Sequence, residues 1–182
     1  MTVIDAHIAT APARSRIGQD VLWILVGAAA VALSARINLL VVPVPVTAQT
    51  LAVLLVGALL GPVRGPLSML TYLAVGTTGL PVFAGGGGLL YMFGPTGGYL
   101  IGFVPAAWLA GTLMARGWNN RPVACVAALT AATAVVFAFG LAWLAVYVPF
   151  GRPLLMAGLV PFIPGAALKI TIASVVVAKL RG

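Results

Sequence analysis

Residues 124–136 read ACVAALTAATAVV, thirteen positions in which apolar and small residues succeed one another without alternation. A strand of a membrane barrel alternates apolar and polar residues along segments of about ten. Only helices and closed barrels satisfy every backbone polar group inside lipid, so the absence of alternation leaves the helix. Extended outward, the stretch belongs to an apolar run at 122–147, longer than the roughly 20 residues a spanning helix requires. Similar runs at 21–40, 46–61, 65–82, 97–115 and 154–180 bring the expected number of spans to six. The second and third are short. The expected architecture is therefore an all-α integral membrane protein, a six-helix bundle over 21–182 preceded by a polar tail at 1–20.

The charges agree. Only 7% of residues are charged and 62% are hydrophobic, with mean hydropathy +1.16, whereas a soluble domain carries about a quarter charged residues. The two acids, Asp5 and Asp20, precede the first long run. The membrane part thus lacks an acidic proton relay, a carboxylate metal site and a carboxylate general base. The net charge of +8 comes from basic residues scattered singly or in pairs, not clustered on one face as nucleic-acid binding requires. Their order is topological. Arg14, Arg16, Arg64, Arg116, Arg121, Lys179 and Arg181 fall on one side if the N-terminus is inside, against Arg36 and Arg152 on the other. Seven against two predicts both termini in the cytoplasm and an even number of spans. A cleaved signal peptide over 14–35 would leave five spans and remove the inward anchor at the start.

Cys125 stands alone, so no intramolecular disulfide forms, and a small apolar filler is its plain reading. His7 has no second ligand beside it, and no metal or cofactor is expected. Gly85–Gly88 lacks the Lys-Ser/Thr of a phosphate loop, so any ATP-driven step belongs to a partner. The irregular loops fall on the outer side. Loop 1–2 reads VVPVPVTAQT, residues 41–50, and its prolines enforce extended backbone. Loop 3–4, Gly76 to Gly98, holds nine glycines in 23 residues, and either closes an outward-facing pocket or merely caps the bundle. Ala28, Ala32 and Ala35 form a small-residue stripe on the first helix, suited to close helix approach within the bundle or against another protein. Lys169 lies about 15 Å from the inner end of the last helix. With no membrane carboxylate to pair with, it meets carbonyls, water or an anionic ligand, or else snorkels to the outer interface.

VPVTAQTLAVLLVGALLGPVRGPLSMLTYLAVGTTGLPVFAGG, then FGPTGGYLIGF, then PFIPGAALK, in order from Val44 to Lys169, resemble the BioY family, the biotin-specific S component of energy-coupling factor (ECF) transporters. The resemblance implies a six-helix bundle in the cell (plasma) membrane that takes up biotin without catalysing a reaction. It also implies a transmembrane partner subunit and two ATPases as the source of energy, with Ala28 and Ala32 on the face that docks the partner. Thr47 and Gln49 suit the ureido edge of biotin as neutral donors and acceptors. Phe83 and Tyr99 suit its apolar ring, and Lys169 suits the ureido oxygen or the carboxylate. In the family's last motif an aspartate follows Pro-Gly; here Ala166 follows Gly165, and Lys169 keeps its place. The same fold around another small vitamin, or a passive pore, are the competing readings. An intramembrane enzyme generally needs acids, bases or nucleophiles in the bundle, and this one offers hydroxyls and one lysine.

Overall fold

The computed structural model describes residues 13–40 and 44–181. Readings that fall on residues 1–12, Asp5 and His7 among them, and on 41–43 lie outside the described residues. The first helix, α1 (Ala13–Ser34), leads into a small antiparallel ribbon, β1 (Asn38–Leu40) on β2 (Val46–Thr47), in which Asn38 pairs with Thr47. Pro45, with its fixed φ and no backbone N–H, bars a helix just before β2.

α2 (Gln49–Thr77) is interrupted at Gly61, a non-helical residue with φ 85° and ψ −173°. The chain reverses there. A Cβ on Gly65 would lie 3.0 Å from the Cα of Gly57, although positions eight apart in a straight helix are separated by about 12 Å. Gln49 and Tyr72 also bond side chain to side chain at 2.6 Å. The arms 49–60 and 62–77 are thus two antiparallel spans, matching the expected runs at 46–61 and 65–82. Gly61 sits in a backbone region open essentially to glycine, and Pro62, with φ preset, starts the second arm. The arms touch at glycine because α4 closes on the same point: a Cβ on Gly57 would stand 2.6 Å from the Ala107 carbonyl oxygen.

A single helical turn, α3 (Leu89–Met92), interrupts loop 3–4. α4 (Gly97–Ala115), a 3-10 turn (Trp118–Asn120) and α5 (Pro122–Leu144) follow, and α5 starts on a proline at its first turn. Loop 5–6 contains α6 (Arg152–Gly158) and a 3-10 turn (Val160–Phe162), and α7 (Ile163–Arg181) closes the bundle. Counting the arms of α2 separately, α1, α4, α5 and α7 complete six spans. Val31, Leu54, Met69, Ala106, Ala132 and Val177 are among the buried residues of the interior. Large apolar side chains such as Leu22, Leu33, Val123 and Leu180 stand exposed on the outside, as a bundle solvated by lipid requires.

The helix 1 stripe turns inward. Ala28 is 8% exposed and Ala35 fully buried, and Ala32 packs half-buried at the edge of the core. A Cβ on the neighbouring Gly27 would reach the Ser68 hydroxyl on the second arm of α2. The face assigned to a partner from the resemblance is therefore, at Ala28, the contact of α1 with α2, because small residues let those two helices approach.

Candidate ligand-binding cavity

At the end of the bundle where the long loops gather, β2 and the start of α2 meet α4, α5 and α7 around a cavity of about 510 Å³, its mouth included. The enclosed part of that space is about 40 Å³, room for a few waters. The first arm of α2 begins at Gln49, just after β2, so both elements supply lining residues. Thr47, Gln49, Tyr99 and Lys169 line this cavity together. They come from β2, α2, α4 and α7.

Lys169 turns inward rather than to the lipid interface. Its half-buried ammonium donates to the Thr47 carbonyl at 2.5 Å and to the Thr50 hydroxyl at 3.0 Å. Two of its three hydrogens are so engaged. Among the described residues the one side-chain carboxylate, Asp20, pairs with Arg64 near the start of the second arm of α2, so the lysine is held by dipoles alone. Gln49 is 3% exposed and Thr47 9%. The Thr47 hydroxyl donates to Gln49 Oε1 at 2.9 Å and accepts the Gln49 backbone N–H at 3.3 Å. Gln49 Nε2 donates to the Tyr72 hydroxyl at 2.6 Å, and Tyr72 donates on to the Val82 carbonyl at 3.3 Å.

The Tyr99 ring forms an apolar wall, and its hydroxyl donates to the Gly158 carbonyl at 2.7 Å. It therefore ties α4 to loop 5–6. Phe162 lies parallel to that ring with centroids 6.0 Å apart, and Phe137 meets Phe162 edge-on at 6.1 Å. Phe83 is not brought to the cavity. It is fully buried behind it, edge-on to Tyr72 at 5.4 Å and stacked on Tyr91 at 5.3 Å. Its room comes from Gly76, where a Cβ would fall 2.0 Å from the ring. The glycine-rich loop thus packs against the back of the tyrosine, while β2, its preceding segment and Phe162 cover more of the cavity. Thr50, Thr133, Phe137 and Phe162 line the site without having been read as site residues. Thr50 was the most accessible to reading, since it adjoins Gln49 in TAQT and is one helical position along. Ala166, at the position of the family's aspartate, also faces this cavity.

The model of the BioY family matches residues 8–182. The chain belongs to the BioY family. A probable biotin transporter BioY of Pyrococcus horikoshii is 38% identical over 81% of this chain and 87% of its own. The biotin transporter BioY of Rhizobium etli is 36% identical over 76% of this chain and 78% of its own. Among solved structures, the S component for biotin from an ECF-type ABC transporter superposes with a TM-score of 0.75 at 26% identity, covering 94% of this chain and 95% of that one. This BioY-family chain therefore has the S-component fold, and its multiple apolar helices make it a membrane protein.

Proposed function

We propose that this chain is the biotin-binding subunit of an ECF transporter in the plasma membrane, with both termini in the cytoplasm and no catalytic step of its own. The observation that carries the reading is the cavity itself: one inward-turned lysine and an amide–hydroxyl pair set against aromatic walls. Biotin presents the complementary set, a ureido edge, an apolar ring system and a carboxylate. Gln49 and Thr47 meet the ureido edge, Tyr99 and the aromatic pair Phe162–Phe137 enclose the ring, and Lys169 supplies the charged donor. Phe83 serves from behind, through Tyr72. Energy comes from partner ATPases through a transmembrane subunit, consistent with the family's membership of such assemblies. That subunit docks along the exposed flank of α1 beside Ala32, since α1 packs chiefly on α2 and leaves Leu25, Val26 and Leu33 free.

Biotin titrated against the purified chain in detergent tests this reading. A site filled to a hundred times its Kd adds about 2.7 kcal/mol to folding stability, so the unfolding temperature should rise saturably. Stabilisation by a different small vitamin, with none by biotin, would keep the fold and change the ligand; Ala166 is the residue that would account for it. No saturable stabilisation by any of them would favour a pore.

A further inference from the structure

The Gln49 amide has two chemically opposite ends, and which end faces the ligand decides what the site accepts. Tyr72 fixes that choice. It is 1% exposed, lies on the second arm of α2 and does not line the cavity. With its single hydrogen turned to the Val82 carbonyl at 3.3 Å, the hydroxyl accepts from Gln49. The amide must then turn its Nε2 to Tyr72 at 2.6 Å and its Oε1 to the donating hydroxyl of Thr47 at 2.9 Å. One N–H and one oxygen lone pair remain for the ligand, in a fixed order. A cyclic urea carries the matching pair, a carbonyl beside an N–H. The ring of Tyr72 is itself held by Phe83, which Tyr91 backs from the glycine-rich loop through a hydrogen bond from the Gly85 backbone N–H at 3.2 Å.

We infer that Tyr72 is a positioning residue for ligand selectivity: it locks the Gln49 amide in the orientation that reads a urea edge and rejects a ligand with a donor in place of the urea oxygen. This rests on the proposed function and specifies how its site discriminates. Freed of Tyr72, the amide can rotate and meet either kind of edge.

Titration with biotin and with 2-iminobiotin, in which an imine N–H replaces the urea oxygen, tests the assignment in detergent. Tyr72→Phe should bind biotin roughly three- to tenfold more weakly, the loss expected of one mispositioned hydrogen bond. The biotin-to-iminobiotin preference should narrow. In a Gln49→Ala background, adding Tyr72→Phe should change neither affinity nor preference. Thr47→Val releases the other end of the amide and should narrow the preference in the same way, which keeps the test open if Tyr72→Phe unfolds. A parent that does not bind biotin overturns the functional reading and this inference with it. A parent that binds biotin, beside variants of unchanged preference, overturns this inference alone. So does an equal loss of affinity in the Gln49→Ala background, since that loss would come from the Val82 contact.

Discussion

Lys169 is the side chain whose placement is least expected of a residue in lipid and best accounted for by the structure. An ammonium at this depth costs about 2.5–3.5 kcal/mol on insertion scales, and here a carbonyl and a hydroxyl from β2 and α2 meet it. Lys169→Ala removes that cost and strands no buried carboxylate, so the bundle should stay folded. Biotin should bind ten- to a hundredfold more weakly, the range of about 1.5–3 kcal/mol for a charge-assisted hydrogen bond. Isothermal titration of the folded variant measures it, and unchanged affinity would remove the lysine from the site. Ala166→Asp is the companion change. The position faces the cavity one turn from Lys169, so an aspartate there should tighten biotin binding if the ureido group approaches that wall. Loss of binding would mean a pocket shaped around the alanine. Of the residues that line the candidate cavity, Gln49, Thr47, Tyr99 and Lys169 stand out in the sequence because each is a polar or amphipathic group in an otherwise apolar run. The place of Phe83 was not legible. An aromatic in a loop reads the same whether it faces a ligand or, as here, supports a tyrosine from behind.

Among the elements, the α2 hairpin does most to build the site. Its two short runs in the sequence foretold two spans, because Gly61-Pro62 both breaks the helix and restarts it. The pairing of Gln49 with Tyr72 across the hairpin was not legible. It depends on how the arms rotate against each other, which is set by glycine contacts with α4 that no spacing rule encodes. Gly61→Ala would force a Cβ into a backbone conformation costing on the order of 1–3 kcal/mol. The variant should unfold at a lower temperature in detergent, and biotin affinity should fall with it because Tyr72 and Gln49 would separate. An unchanged unfolding temperature would show that the turn relaxes elsewhere. The inward turn of Ala28 belongs to this scale too: a stripe of small residues announces a close helix contact but not which helix makes it.

The whole molecule carries its loops at one end and the Asp20–Arg64 pair toward the other. The basic residues counted from the sequence put the second of these ends in the cytoplasm, an expectation that rests on lysine and arginine alone. Arg116→Cys provides the check, since the native Cys125 is 1% exposed and silent toward aqueous reagents. A membrane-impermeant maleimide should label that variant only after permeabilisation. Labelling in intact cells would invert the assignment.

The two sides of the bundle differ in reach. From Ile17 to Ser34 the apolar part of α1 rises about 27 Å, and the first arm of α2, residues 49–60, about 18 Å. The 23 residues of α5 rise about 35 Å, against a hydrocarbon layer of about 30 Å. The protein is a wedge set in a slab. Next to the hairpin, whose tip carries the exposed Val63 beside Arg64, lipid is expected to thin more than next to α5. Mismatch costs fractions of a kcal/mol per Å, so short-chain phosphatidylcholine should raise the unfolding temperature of the reconstituted protein above its value in long-chain lipid. Equal temperatures in both would mean that tilt absorbs the difference. The thin flank adjoins α1, where the partner subunit is proposed to dock, so membrane thickness becomes a variable of assembly: a partner seated there would relieve the thinned lipid that the isolated subunit has to hold.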